Sequence, residues 1–238
     1  MENGCLRTAF FPKIWKRAKL IPIVKPGKET CEDMTKFRPI SLLNTAAKVL
    51  EKVLISRIMY HVYSKNLMNT NQYGFTPQTS TVDVVMSLED YVQSSIDDGQ
   101  YVAAISLDVK GAFDAAWWPA ILASLRQLRS PGNLYKLCGS YFKDRTAFLT
   151  MNNGMTQRNI SKGCPQGSAS GPGFWNILFD SLLNLEYRQN TKVIAYDDDL
   201  MILVKGSNQV EVENYDNIEI QNVANLARNN KMFFNGQK

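Results

Sequence analysis

Four consecutive residues, Tyr196-Asp197-Asp198-Asp199, are the clearest candidates in this sequence for a chemically active site. They lie between two apolar stretches, residues 193–195 and 200–204. Two apolar runs joined by adjacent acids predict a β-hairpin with carboxylates at its tip. Adjacent carboxylates repel each other, and a divalent cation such as Mg²⁺, which takes oxygen ligands, would relieve that repulsion. Taken alone, the motif favours a solvated acidic turn over a metal site.

A second acid, Asp108, directly follows the apolar run 101–107. If the two strands are neighbours, acids at their ends could form a two-metal site for phosphoryl transfer. The sequence has one histidine, His61, which argues against Ser-His-Asp catalysis and against histidine-bound metals. Carboxylates therefore remain as the expected catalytic groups.

Three further stretches could act on a phosphorylated ligand. Residues 163–168 place two glycines around a Pro-Gln turn before a helix, where backbone can approach a phosphate closely. Arg38, in the run 36–43, is suited to phosphate binding. Phe113 lies five residues after Asp108. The alternatives are an ordinary helix-start loop, a structural arginine and a core phenylalanine.

The elements that must position these residues alternate between strand and helix. Strands are predicted at 18–24, broken by Pro22, and in the run ending at Asp108. A hairpin is predicted around Asn153-Gly154, besides the acidic hairpin. Helices are predicted from the N-cap Asn44 to about 66, from the capping box at 80–83 to about 96, and at 119–128, 168–185 and 210–229. The pattern predicts an α+β fold with a split βαβ sheet and helices on one face.

Composition narrows the class of protein. Residues 1–65 carry 13 of the 27 Lys and Arg residues and 5 of the 22 Asp and Glu residues, so the first quarter is basic. A basic region before an acidic body suits a polyanion-binding protein, although a solvated basic surface is equally compatible. No apolar run reaches the roughly 18–20 residues of a membrane span. The four cysteines lack C-x-x-C spacing, which favours free thiols in the nucleus or cytoplasm.

Several motifs in order together resemble reverse transcriptases, and most of all the non-LTR (LINE-like) retrotransposon branch. The motifs that carry this resemblance are residues 20–28, 37–42, 72–75 with 80–81, 107–108 with 112–114, 163–168 with 174–176, 196–199, and 228–231 with 234–235.

The resemblance implies the fingers and palm of a right-hand polymerase. Residues 1–100 would form the basic fingers, and residues 101–238 the palm with the active-site strands. In a full-length element an endonuclease region would precede Met1, and a primer grip and thumb would follow Lys238. The implied partners are an RNA template, a DNA primer and dNTPs, and no membrane.

The resemblance also assigns roles to individual residues. Asp108 and Asp198 would bridge two Mg²⁺ ions, with Mn²⁺ as a substitute; Asp199 would lie beside them, and the Val109 carbonyl would be a further ligand. The implied nucleotide-binding residues are Lys25 and Arg38 at the triphosphate, Ala112 and Phe113 beside the sugar, and Gln166 and Gly167. Phe113 would exclude a 2′-hydroxyl. Tyr196 and Ser168 would lie near the primer and template.

The sequence departs from the family pattern at Asp197. That position is usually small or apolar, and here it adds a third negative charge beside the expected metals. This departure leaves two hypotheses for the chain: an active RNA-directed DNA polymerase, or a catalytically decayed transposon fragment that keeps the fold or nucleic-acid binding only.

Overall fold

The computed structural model describes residues 2–24, 37–151 and 154–235. Helices and strands alternate along the chain, which confirms the predicted α+β class. The helices are α1 (Glu2–Thr8), α2 (Thr45–Ser64), α3 (Thr81–Asp97), α4 (Ala112–Ala115), α5 (Trp118–Gln127), α6 (Gly132–Phe142), α7 (Gly171–Leu183) and α8 (Gln209–Asn229), with a 3₁₀ turn at Lys13–Lys16. The strands are β1 (Arg17–Val24), β2 (Phe37–Leu42), β3 (Tyr101–Asp108), β4 (Arg145–Met151), β5 (Gly154–Ile160), β6 (Thr191–Tyr196) and β7 (Asp199–Gly206).

The chain packs as two compact units that interleave in sequence. The first unit comprises residues 1–65 and 116–175, and the second comprises residues 66–115 and 176–238. These units are defined by packing, and the assignment of fingers and palm to residues 1–100 and 101–238 stays a prediction.

A four-stranded sheet in the order β2-β1-β4-β5 organises the first unit. The β1–β2 and β4–β5 pairs are antiparallel, and β1 runs parallel to β4. Aromatic side chains form much of the core, including Phe11, Tyr141 and Phe174, which are almost fully buried. Leu50, Leu54 and other apolar residues of α2 add to this core.

A three-stranded sheet in the order β3-β7-β6 organises the second unit. Both outer strands are antiparallel to β7, so β3 and β6 run parallel to each other with β7 between them. This is the predicted split βαβ arrangement. Helices α3 and α8 pack against the sheet.

Local sequence signals account for several element boundaries. The Asn44 side chain accepts a hydrogen bond from the N–H of Ala46 at 2.9 Å and starts α2. Ser80 and Asp83 form the predicted capping box of α3. Both helices therefore begin where their caps satisfy otherwise unpaired backbone donors.

The structure corrects two expectations about secondary structure and adds elements that the sequence did not predict. Strand β1 continues through Pro22, which lies opposite Pro39 on β2. Proline has no N–H, but residues in a non-hydrogen-bonded pair of an antiparallel sheet donate no N–H to each other, so the pairing of the strands is kept. Helix α7 begins at Gly171 rather than at 168, because the residues before it form a turn closed by the N–H of Ser168 on the Pro165 carbonyl at 2.9 Å. Helices α1, α4 and α6 and strand β2 were not predicted at all.

Some expectations lie outside the described residues. These are the turn 25–28, Asn153 of the β4–β5 turn, and Cys31. The three described cysteines, Cys5, Cys138 and Cys164, are free and buried. Within the described ranges, no helix combines the length and the apolar character that crossing a bilayer takes.

Candidate active site

The acidic motif forms the tip of the β6–β7 hairpin. Tyr196 pairs with Asp199, so Asp197 and Asp198 are the two residues of a tight turn. Asp197 has a φ of 54°, in the left-handed region, whereas Asp198 is outside it. Aspartate tolerates this conformation better than most residues do.

The β3–β7 register brings Asp108 to this turn. Asp108 pairs with Asp199, and the N–H of Val109 donates to the Asp198 carbonyl at 3.4 Å. Directly opposed residues of an antiparallel pair have Cα atoms about 4.5–5.5 Å apart. The two acidic motifs predicted to lie on neighbouring strands therefore meet at one end of the second unit's sheet.

Asp197 is the electrostatically unfavourable member of the turn. Partial burial raises the pKa of its carboxyl group above 3.8, and the neighbouring charges of Asp198 and Asp199 raise it further. Each of these causes disfavours the ionised form. The folded chain therefore disfavours the charged form of Asp197 at this end of the sheet.

Gly74 contacts the turn more closely than any other residue type could. A Cβ atom at this position would overlap the backbone nitrogen, the Cα and a carboxylate oxygen of Asp197. The chain reaches this place because Tyr73 donates its N–H to the Ala195 carbonyl at 2.9 Å, and Asn176 donates to the Gly74 carbonyl at 2.8 Å. Sequence analysis placed Gly74 in a family motif but did not reveal this contact.

Phe113 follows the acid-bearing strand and belongs to the short helix α4. Its ring lies edge-on to Phe75, with ring centroids 5.8 Å apart. Phe113 is half-buried, and the adjacent Ala112 is buried. The Phe75 contact restricts the position of the Phe113 ring, and sequence analysis had not singled out Phe75 for this purpose.

In the first unit, the Pro-Gln-Gly loop is held against β2. The Ser41 N–H donates to the Gln166 carbonyl at 2.8 Å. Gly167 has a φ of 100°, and a Cβ there would lie 3.1 Å from the Ser41 carbonyl oxygen. Gly167 is therefore needed both for its backbone conformation and for close approach. The arginine motif and the glycine motif, distant in sequence, are joined by this contact, and Arg38 is exposed on β2.

A buried glutamate supports the same loop and was missed by sequence analysis. The Tyr141 hydroxyl donates to one Glu51 carboxylate oxygen at 2.9 Å, and the Ala169 N–H donates to the other at 3.0 Å. Burial raises the pKa of Glu51, although these two hydrogen bonds and the charge of Arg145 oppose the rise. Glu51 lies on the apolar face of α2, and nothing in the neighbouring sequence indicates that it accepts hydrogen bonds from Tyr141 and Ala169.

Comparison with known proteins identifies the family. The sequence profile described as "Reverse transcriptase (RNA-dependent DNA polymerase)" matches residues 23–238, which is most of the chain. The chain belongs to the reverse transcriptase family.

Retrotransposon proteins are among the relatives of this reverse transcriptase domain. It is 34% identical over 214 residues to a putative 115 kDa protein in type-1 retrotransposable element R1DM of Drosophila melanogaster, covering 89% of this chain and 20% of that protein. It is 30% identical over 217 residues to the Pol polyprotein from element R1 of Bradysia coprophila, covering 90% of this chain and 21% of the relative. It is 29% identical over 215 residues to the RNA-directed DNA polymerase from mobile element jockey of Drosophila funebris, covering 88% of this chain and 23% of that protein. The domain is homologous to non-LTR retrotransposon polymerases and spans about a fifth of the length of these relatives.

Solved structures support the fold. Telomerase from Candida albicans, in complex with a fragment of telomeric RNA, matches with a TM-score of 0.68 at 14% identity, covering 100% of this chain and 44% of that one. Apo telomerase from Candida tropicalis matches with a TM-score of 0.67 at 13% identity, covering 99% of this chain and 47% of the telomerase chain. At this identity the likeness establishes the fold, which is the fingers and palm region of a reverse transcriptase.

The predicted site residues fall in both units of the reverse transcriptase domain. The second unit contains Asp108, Val109, Ala112, Phe113, Tyr196, Asp198 and Asp199, and the first contains Arg38, Gln166, Gly167 and Ser168. Lys25 lies outside the described residues. The structure thus groups the expected metal ligands in one unit and the glycine loop with Arg38 in the other.

The carboxylates suit the magnesium ions that reverse transcriptases generally use. In the part of the chain that the structure describes, no three His, Cys, Asp or Glu side chains form a complete metal cage. Mg²⁺ is commonly held by one or two carboxylates together with substrate phosphates rather than by a cage of protein ligands. An edge with Asp108 opposite Asp199 and beside Asp198 fits that mode of binding.

Proposed function

We propose that this chain is the polymerase portion of a retrotransposon RNA-directed DNA polymerase, which adds dNTPs to a primer 3′-hydroxyl on an RNA template. The observation that carries the proposal is the register that puts Asp108 opposite Asp199 and beside the Asp198 turn. Membership of the reverse transcriptase family supports it. RNA template, DNA primer and dNTPs are the proposed partners, and the nucleus, the cytoplasm or both are the proposed location.

Asp108 and Asp198 would hold two Mg²⁺ ions, with Asp199 beside them and the Val109 carbonyl as a further ligand. When bound, the ions would lower the pKa of the primer hydroxyl and neutralise the triphosphate and the leaving pyrophosphate. The chain's own contribution is to fix these carboxylates at the end of a paired sheet, where the reacting groups can be oriented.

The remaining residues would bind and select the nucleotide. Lys25 and Arg38 would contact the triphosphate, since cations with several N–H donors suit phosphate oxygens. Gln166 and Gly167 would face the incoming nucleotide and template, with Ser168 next to them. Phe113 and Ala112 would line the sugar position, and Tyr196 would lie near the primer terminus.

A second candidate is a catalytically decayed copy that keeps the fold or nucleic-acid binding. The position of Asp197 in the turn favours it, because a third acid beside the metal ligands would repel the primer phosphate and compete for cations.

Primer extension on poly(rA)/oligo(dT) with Mg²⁺ tests the proposal, using this chain fused to the thumb of a related element. Three versions are compared: native, Asp197→Asn, and Asp197→Asn with Asp108→Asn. We expect extension by the Asp197→Asn version and its loss on adding Asp108→Asn. Extension that survives Asp108→Asn would overturn the proposed site, and absence of extension in all three versions would favour the decayed copy.

A further inference from the structure

The last described segment, residues 232–235, pairs with the end of β3. The Lys110 N–H donates to the Phe233 carbonyl at 2.7 Å, and the Asn235 N–H donates to the Asp108 carbonyl at 2.9 Å. Val109 and Phe234 form an antiparallel bridge between these two bonds. Met232, which is fully buried, anchors the segment in the core after α8.

The same pairing delivers a side chain to the Asp108 carboxylate. The Asn235 amide donates from Nδ2 to Asp108 Oδ2 at 2.6 Å. Asn235 therefore binds Asp108 twice, once through the backbone and once through the side chain. The backbone bond holds the main chain of Asp108 in place, and the side-chain bond sets the orientation of its carboxylate.

We propose that Asn235 is a positioning residue that orients the Asp108 carboxylate for a divalent cation. The inference rests on the proposed function, in which Asp108 is a metal ligand. Outer partners that hydrogen-bond a ligating carboxylate hold it in the binding orientation before the metal arrives. A neutral amide does so without adding a positive charge, whereas lysine or arginine at the same place would compete with the cation for the carboxylate.

If Asn235 had only a structural role, its side-chain bond would be needed to attach residues 232–235 to β3. The backbone bonds of residues 110 and 235 and the burial of Met232 already attach the segment. The Asn235–Asp108 side-chain bond is exposed to solvent, where a single hydrogen bond adds little net stability. Its consequence should therefore be visible at the carboxylate rather than in the folding of the chain.

The experiment compares the whole native chain with Asn235→Ala, and uses Asn229→Ala as the matched control. Asn229 is an exposed asparagine at the end of α8. Three quantities are measured: the affinity for Mn²⁺ by electron paramagnetic resonance, the hydrogen exchange of the Asn235 backbone N–H, and the ¹³C chemical shift of the Asp108 carboxylate without metal. Asp108→Asn identifies both the Mn²⁺ site and the carboxylate signal.

We expect Asn235→Ala to weaken Mn²⁺ binding roughly 10- to 100-fold, to shift the Asp108 carboxylate signal, and to keep residue 235 protected from exchange. Asn229→Ala should match the native chain. Unchanged Mn²⁺ affinity in Asn235→Ala would overturn the inference and leave the proposed metal site standing, and loss of protection at residue 235 would overturn it by showing a merely structural amide. If the native chain shows no Asp108-dependent Mn²⁺ binding, the chain alone does not hold the ion, and the ¹³C shift decides whether the amide orients the carboxylate: a shift supports this, and its absence overturns it. The proposed function is tested separately by primer extension.

Discussion

At the scale of single residues, Asp197 is the departure from the family pattern that separates the active polymerase hypothesis from the decayed copy. The residue adds a negative charge at the turn that carries Asp198 and Asp199, and its carboxyl group is partly buried. A like charge within a few ångströms can cost on the order of 1–4 kcal/mol at effective dielectric constants between those of water and a protein surface.

We therefore expect Asp197→Ala and Asp197→Asn each to raise primer extension at least about tenfold, which corresponds to about 1.4 kcal/mol in the barrier. Asparagine is the sharper variant because it keeps the shape of aspartate and tolerates the positive φ of 54° at this position. The gain should shrink at high salt where the charge faces solvent. Equal extension by native and variant proteins would show that the third acid is harmless.

A second prediction for a single residue concerns Phe113 and the selectivity for dNTPs over rNTPs. Replacing it with alanine or valine should admit ribonucleotides, because the ring would occupy the space that a 2′-hydroxyl needs. Since Phe75 packs edge-on against this ring, Phe75→Ala should relax the same selectivity to a smaller degree. Single-nucleotide incorporation in the active Asp197→Asn background measures this, and unchanged discrimination in Phe113→Ala would rule out the proposed role.

At the scale of elements, the acidic hairpin depends on a neighbouring segment that is distant in sequence. Gly74 lies so close to Asp197 that a methyl group cannot be added without moving backbone. We expect Gly74→Ala to lower the free energy of unfolding by about 1–3 kcal/mol through overpacking.

Gly139 provides the matched control for this substitution. It lies inside α6, and a Cβ there would meet no atom within 4 Å. Gly139→Ala should therefore raise stability by about 0.5–1 kcal/mol through helix propensity. Chemical denaturation measures both changes, and a Gly74→Ala variant as stable as the native protein would contradict the close contact.

The Glu51 network gives an expectation for pH dependence. Burial raises the pKa of Glu51 above 4.5, so the folded state disfavours its charged form. The resulting penalty is absent when the group is protonated, grows as pH rises from 4.5 through the raised pKa, and is complete above it.

The free energy of unfolding of the native protein, measured relative to Glu51→Gln, should accordingly fall as pH rises from about 4 to 8. Denaturation curves at several pH values test this. Glu89→Gln, on the exposed part of α3, is the control for loss of one carboxylate. A constant difference between native and Glu51→Gln proteins across this range would contradict the assigned burial effect.

At the scale of the whole molecule, local signals predicted most of the helices and strands, whereas the contacts between distant residues were not predictable from the sequence. The Asn44 cap, the Ser80 capping box and the hairpin acids were readable because each acts within a few residues. The Glu51–Ala169 and Asn235–Asp108 bonds join residues 118 and 127 positions apart. One sequence contains no signal for such partners, since a buried acid or an exposed asparagine can form hydrogen bonds with many different partners.

The proposed function requires the Asp108 carboxylate to contact a divalent cation during nucleotide transfer. The most direct test replaces that hard oxygen ligand with a soft one, through Asp108→Cys in the thumb-fused Asp197→Asn protein, with primer extension measured in Mg²⁺ and in the more thiophilic Mn²⁺ or Cd²⁺. We predict a loss of roughly 10³-fold in Mg²⁺, since a metal contact contributes several kcal/mol, with partial recovery in the thiophilic ions. Undiminished extension by Asp108→Cys in Mg²⁺ would contradict the claim.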